Sequence, residues 1–410
     1  MSDRPTLGTP LDLPCGARVR NRLLKSAMSE QLADDRHDAT AGLATLYRTW
    51  AEGGIGLQVT GHLMVDRTAL GEPRNVVLDG ASDRAALERW AEAGRAAGTH
   101  LWVQLNHPGR QSPAFLSRRP VAPSAVPLAG ALRTAFRPPR ALEGDEIRAI
   151  IGRFALASGI AREVGFTGVQ IHGAHGYLVS QFLSPRVNRR TDEWGGSPER
   201  RWRFPLEVYR AIRERVGDAF PVGIKLNSAD FLREGLSEEE SAEAIAALAA
   251  EGIDLVEISG GSFEAPAMTG FRVAESTRRR EAYFLAFAEK VRRHVRVPLA
   301  VTGGFRSGAA MSEALRSGAT DLVGLARPLA LYPDLPARLL RDPATAAAVP
   351  RPTTGIRALD RLTMLDVTFY QGQLDRMARG QAPRPDQSAW AVALATLGRY
   401  GLGGLRRARA

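Results

Sequence analysis

The chain has 410 residues, 44% of them hydrophobic and 24% charged, with a formal net charge of +11, which is the composition of an ordinary globular protein able to bury a large core. Its single cysteine, Cys15, excludes an internal disulfide framework and any iron–sulfur cluster held by four thiolates of the same chain. No run of about twenty apolar residues exists and the N-terminus lacks a signal-peptide core, so a cytoplasmic protein without membrane contact is expected.

In chain order, short apolar and β-branched runs alternate with longer patterns of period near 3.6. Strands are expected at residues 23–28, 55–60, 100–105, 168–171, 222–226, 254–258, 299–301 and 321–324. Helices are expected at 41–52, 83–97, 145–164, 198–216, 237–251, 282–295 and 307–317. Ser237 and Glu240 form a capping box, and Gly252 ends that helix. Two insertions interrupt the alternation. The proline-rich stretch 108–140 reads as an irregular loop or small hairpin over the mouth, and 184–196 also reaches over it. Eight such units spell a (β/α)8 TIM barrel over residues 1–345. The runner-up, a doubly wound sheet, needs a Gly-rich turn after the first strand, and Lys25-Ser26-Ala27-Met28-Ser29 is not one. Residues 346–410 form a C-terminal helical extension with patterns at 359–377 and 389–399. Its aromatic residues need a surface, either the chain's own barrel or a partner subunit. The reading adopted is that the tail serves assembly of a homo-oligomer and does not touch the chemistry of its own barrel.

The positive charge comes from dispersed arginines, with only three lysines (Lys25, Lys225, Lys290). The densest run, Arg278-Arg279-Arg280, is short and no nucleic-acid motif accompanies it, so the expected partner is a small-molecule substrate. Of seven histidines, two lie three residues apart in His172-Gly173-Ala174-His175-Gly176-Tyr177, directly after the fourth strand. Two imidazoles can hydrogen-bond one substrate oxygen, and a nearby phenol can deliver a proton. A zinc site would need Cys or carboxylate ligands at a suitable spacing, and none is present. After the seventh strand comes Gly303-Gly304, and after the eighth Ala326-Arg327. In a barrel this is where a phosphorylated cofactor is held. Glycines let backbone N–H groups approach phosphate, and arginine supplies a bidentate charge.

Taken together, these segments resemble the Old Yellow Enzyme family of FMN-dependent ene reductases (NADH:flavin oxidoreductases), from about Leu7 to about Leu340. The motifs are Asn21-Arg22-Leu23-Leu24-Lys25-Ser26-Ala27-Met28, Gln104-Leu105-Asn106-His107-Pro108-Gly109-Arg110 and the double-histidine segment. They continue with Gln181-Phe182-Leu183-Ser184-Pro185-Arg186-Val187-Asn188, Asp192-Glu193-Trp194-Gly195-Gly196-Ser197 and the glycine and arginine runs.

The resemblance implies that Ala27, Met28, Ser29 and Gly61 lie along the flavin, with Ser29 near its N5/O4 edge. It implies that Gln104 meets the pyrimidine end and that Lys225 sets positive charge beside N1. Ser259, Gly260, Gly261, Gly303, Gly304, Ala326 and Arg327 would cradle the ribityl phosphate. A rival reading of Lys225 is a buried ion pair with Glu257. The implied reaction is ping-pong: NADH or NADPH reduces FMN, and an electron-poor alkene then receives the hydride. His172 and His175 polarise its activating group, and Tyr177 protonates the α-carbon. Loops at 108–140 and 263–280 would shape the pocket. Ser29, Trp194, Arg200 and Ala326 depart from the residues common in the family. The alternative enzyme is an FMN-dependent dehydrogenase oxidising an amine or another saturated substrate. A non-enzymatic alternative, a basic barrel that only binds a phosphorylated ligand, leaves the two histidines and the tyrosine unexplained.

Overall fold

The computed structural model describes residues 4–266 and 281–408. The strands are β1 (Leu23–Lys25), β2 (Leu57–Met64), β3 (His100–Asn106), β4 (Gly168–Gly173), β5 (Val222–Asn227), β6 (Leu255–Ser259), β7 (Leu299–Thr302) and β8 (Leu322–Leu325). Each pairs in parallel with its neighbour in the chain, and β8 pairs with β1 to close the barrel. The strands are buried on both faces because helices cover the outside, which is why they read as continuous apolar runs. β1 stops three residues short of the expected end, at Lys25. β2 instead runs on to Met64, with a break in register between Val59 and His62. Such a bulge re-aims the side chains beyond it.

The barrel helices are α1 (Ala41–Glu52), α2 (Arg84–Gly94), α3 (Gly144–Glu163), α4 (Leu178–Leu183), α5 (Pro198–Val216), α6 (Glu238–Ala250), α7 (Leu285–Arg292) and α8 (Gly308–Arg316). Their starts follow local chemistry. Asp83 accepts the Ala86 N–H, Ser197 accepts that of Arg200 with proline next at 198, and Ser237 with Glu240 makes the expected reciprocal box. α4 is a helix that the sequence pattern does not show. It follows Tyr177 directly and so holds the end of the double-histidine segment rigid.

The bottom of the barrel is plugged. Leu11–Asp12 pairs antiparallel with Arg18–Val19. Leu11, Leu13 and Val19 pack against Leu24, Leu57, Trp102, Leu255, Ala300 and Leu322. Strands of two residues leave no periodicity to read, so this hairpin is invisible in the sequence. Within 108–140 the two-residue pairing of Val121–Ala122 with Arg140–Ala141 is parallel, and a single antiparallel bridge joins Pro113 to Phe136, so the stretch is mostly an irregular loop. Of the loop at 263–280, residues 267–280 lie outside the described residues, Arg278-Arg279-Arg280 among them.

After β8 come α9 (Arg327–Leu331), α10 (Leu335–Arg341), α11 (Arg357–Leu362), α12 (Leu365–Ala378) and α13 (Ala389–Ala408). The expected helix at 359–377 is two helices, broken where Met364 adopts φ 48°. α12 buries Leu365, Phe369, Tyr370, Leu374 and Met377 in the same core as Leu43, Leu46, Tyr47 and Trp50 of α1. The aromatic face of this helix therefore finds its surface on its own barrel.

Candidate active site

Strand register brings the polar residues together. His172 of β4, Lys225 of β5 and Glu257 of β6 are cross-strand neighbours near the C-terminal ends of their strands. The Glu257 carboxylate is fully buried and receives the Lys225 ammonium at 2.9 Å. It also accepts from Thr302 Oγ1 at 2.6 Å, from Gln170 Nε2 at 2.8 Å and from Ser26 Oγ. Lys225 Nζ in turn donates to Ser26 Oγ at 2.7 Å. Burial drives this carboxyl toward the neutral form, but the Lys225 charge and the hydrogen bonds outweigh it, and Glu257 lies below the usual carboxylate range. Gln104 extends the network by donating to Gln170 at 2.8 Å.

Beside this layer sits an aromatic cluster. The His172 and His175 rings meet edge to face, 5.2 Å between centroids, and the Tyr177 ring lies 4.8 Å from His172. His172 Nδ1 accepts the Ala174 N–H at 3.3 Å, so the neutral ring carries its proton on Nε2. His175 adopts φ 60°, a strained conformation for a non-glycine residue. It is fixed there by its N–H on Asn227 Oδ1 (3.1 Å), by Gln111 on its carbonyl (3.0 Å) and by Nε2 against Ser259 Oγ (2.9 Å). Burial, followed by the neighbouring imidazoles and Lys225, holds His172 well below its ordinary value. Burial and Lys225 lower His175 to about 3. Both rings are neutral at pH 7. Tyr177 is pushed well above the usual phenol value by burial and then by the Glu72 carboxylate.

A third imidazole, His62, stands 5.3 Å from the Tyr177 ring and 3.4 Å from Glu72, re-aimed by the bulge in β2. Ser29 Oγ also donates to Glu72. Around this cluster Asn106 Oδ1 and Gln111 Oε1 are buried without a hydrogen-bond partner among the described residues. Buried orphan groups of this kind gather where a ligand or solvent completes a site.

A cavity of about 340 Å³ adjoins the cluster, a size usual for small-molecule sites. Of the expected residues, Ala27, His175, Lys225, Ser259, Gly303, Gly304, Ala326 and Arg327 line it. Others are placed elsewhere. Gly61 gives its N–H to Glu30 (2.8 Å) and Tyr47 (3.0 Å), and a Cβ on it would lie 1.9 Å from the Glu30 carboxylate. Gly260 is wedged between Phe231 and Phe284. Gly261 spends its N–H on Ala229 and its carbonyl on Asn227. Met28 packs into the core, and Gln104 faces Gln170. Ser26, Tyr283, Thr302, Arg306, Val349 and Arg351 line the cavity without having been expected to. Val349 and Arg351 correct the expectation that the tail leaves its own barrel's site untouched.

The lining suits a flavin mononucleotide. Lys225, backed by Glu257, offers one cation, and Arg306, Arg327 and Arg351 line the same cavity as the Gly303-Gly304 turn. Both glycines have positive φ, 129° and 95°, and a Cβ on Gly304 would lie 2.7 Å from the Tyr283 ring. Among the described residues no group of three or more His, Cys, Asp or Glu side chains is placed to hold a metal ion. No described helix is long and apolar enough to cross a membrane.

The sequence profile of the NADH:flavin oxidoreductase / NADH oxidase family matches residues 6–344. The chain belongs to this family. It is the Old Yellow Enzyme family whose motifs the sequence carries, and with it come FMN as cofactor and NADH or NADPH as reductant. The chain is 38% identical over 397 residues to the NADH-dependent flavin oxidoreductase iliE of Neonectria sp. (strain DH2), covering 90% of this chain and 50% of that one. It is 39% identical over 350 residues to iliE of Hypocrea jecorina (strain QM6a), covering 80% of this chain and 87% of the relative. The chain thus spans half the length of the first relative and most of the second. Among solved structures, morphinone reductase superposes with a TM-score of 0.70 at 29% identity, covering 87% of this chain and 94% of that one.

Proposed function

We propose that this oxidoreductase reduces activated C=C bonds, such as those of α,β-unsaturated carbonyl or nitro compounds. The observation that carries the reading is the packing of His172, His175 and Tyr177 into one cluster beside a cavity lined by Lys225 and three arginines. Ala27, Lys225, Ser259, Gly303, Gly304, Ala326 and Arg327 would hold the FMN. When bound, FMN accepts a hydride from the nicotinamide and supplies it to the substrate.

The chain's own residues do the rest. His172 and His175 donate hydrogen bonds to the activating oxygen as neutral imidazoles. Neither gives up a proton in doing so, and the pair stabilises the negative charge that develops on that oxygen. Tyr177 keeps its proton until a strongly basic carbon forms next to it, because burial and Glu72 disfavour the phenolate. Lys225 places positive charge in the cavity wall, and the Glu257 network holds it there.

The test is a half-reaction experiment. The purified protein should be yellow and bleach anaerobically with NADH or NADPH. The pre-reduced Tyr177→Phe variant should reduce an enone about 10²–10³-fold more slowly than the parent, while its bleaching by the nicotinamide is kept. Equal loss in both half-reactions would give the ring a structural role and remove the proton-donor assignment.

A further inference from the structure

We propose that Glu72 is a specificity-determining residue: its carboxylate stands in the wall of the substrate site beside the proton donor and favours substrates that carry an ammonium or hydroxyl group over those that carry a carboxylate. The inference rests on His172 and His175 as the pair that binds the activating oxygen, and adds to it what the neighbouring wall selects.

The carboxylate is aimed by its own turn, Gly71-Glu72-Pro73-Arg74-Asn75. The buried Asn75 side chain accepts the N–H groups of Gly71 and Glu72 at 3.1 and 2.7 Å, and Pro73 fixes the next φ. From this base Glu72 accepts a hydrogen bond from Ser29 Oγ and lies 3.4 Å from His62 Nε2. The His62 ring is 5.3 Å from that of Tyr177 and 6.2 Å from that of His172, so the carboxylate adjoins the cluster that the substrate must meet. Tyr177 is 5% exposed and the His62 side chain 8%, whereas Glu72 keeps 23% of its side chain open. Glu72 is therefore the part of this wall that a substituent on the substrate can touch.

The chemistry of the group decides what it accepts. Burial raises the Glu72 carboxyl, but the hydrogen bond and charge of His62, with hydrogen bonds from Ser29 and Gln31, outweigh burial and hold it below the usual carboxylate range. Among the described residues its ion-pair partner is His62, and no lysine or arginine stands beside it. Arg74, its neighbour in sequence, gives its Nε–H to Ala33 O at 2.7 Å. A carboxylate has room for about four hydrogen bonds, and Ser29, His62 and Gln31 leave a place for a donor from the substrate. A second carboxylate brought to the same place would be repelled. Lys225 and three arginines line the adjoining cavity and by themselves favour an acid, so a preference for an ammonium identifies Glu72.

Phenols that place their oxygen on the histidine pair test this by binding alone, apart from turnover. Flavin-loaded protein is titrated with hydroxyphenylacetate, hydroxyphenylethanol and hydroxyphenylethylamine, each as its meta and para isomer, and charge-transfer absorption is followed. The methylene spacer keeps the phenols nearly equal in acidity, so the terminal group is what differs. In the isomer series that reaches Glu72, the amine should bind about ten- to a hundredfold more tightly than the acid, with the alcohol between, as expected for unit charges meeting at a partly buried site. Glu72→Gln keeps the shape and an acceptor oxygen and should abolish that preference, whereas Glu72→Asp should keep the amine ahead. Equal binding of amine and acid in both series of the parent, or a preference that survives Glu72→Gln, would overturn the role of Glu72. If no phenol binds at all, the histidine pair itself is refuted, and the selectivity falls with it.

Discussion

Replacing Lys225 with methionine should reverse the way in which Glu257 ties stability to pH. In the parent, Glu257 lies below its ordinary value of 4.5, so the stability it contributes is present above about pH 4.5 and lost as pH falls through the lower folded value. Without the ammonium at 2.9 Å, the fully buried carboxylate keeps Ser26, Thr302 and Gln170 but no opposing charge. Leaving one member of a buried pair unpaired costs about 3–5 kcal/mol. The carboxyl can escape that cost by taking up a proton, which from an ordinary value of 4.5 costs about 3.4 kcal/mol at about pH 7 and about 1.4 kcal/mol at about pH 5.5. Protonation is the cheaper route and caps the loss. The variant should therefore gain about 2 kcal/mol on going from about pH 7 to about pH 5.5, where this group leaves the parent flat. Urea denaturation followed by fluorescence of the buried Trp50, Trp90 and Trp102 measures this, without flavin so that ligand linkage does not enter. Lys225→Met with Glu257→Gln should restore most of the loss and abolish the pH dependence. A single variant as stable as the parent at both pH values would refute the idea that this ion pair supports the barrel's polar layer.

Three further outcomes are expected. Because both imidazoles are held neutral, binding of a weakly acidic phenol, read by charge-transfer absorption, should show no histidine inflection between about pH 5 and about pH 8. An inflection near the ordinary histidine value, lost in His175→Ala, would contradict the burial argument. Arg327→Ala should purify largely without flavin, and full occupancy measured by absorbance would remove it from the phosphate site. Phe369→Ala should cost about 3–5 kcal/mol in denaturation, since its ring is 1% exposed between α12 and the barrel; a loss under about 1 kcal/mol would mean that the tail does not dock there.

The eight strands were readable because each is an apolar run enclosed on both faces, and the capped helices because Asp83, Ser197 and Ser237 announce themselves. What stayed hidden has local reasons. The bottom hairpin is too short for any period, and α4 lacks a cap signal because its first turn follows Tyr177 directly. The site was half legible. His172, His175 and Tyr177 stand in one contiguous segment, and Arg327 follows a strand. His62 and Glu72 come from β2 and the loop after it, and their meeting with Tyr177 depends on a bulge that no spacing rule reveals. Arg351 lies in a segment that looks like a linker. Backbone ties of Thr345, Ala346 and Ala347 to the turn at Arg306–Gly308, and of Pro350 to Tyr370, bring it to the cavity.

The apolar plug beneath the barrel also governs traffic. With Leu11, Leu13 and Val19 filling one end, the barrel is closed below, and the site is reached from the face that bears the C-terminal ends of the strands. A nicotinamide nucleotide and the alkene of the proposed reaction would then share that face, each leaving before the other enters. An excess of either reactant would obstruct its successor, so turnover should peak at intermediate concentrations and decline beyond them.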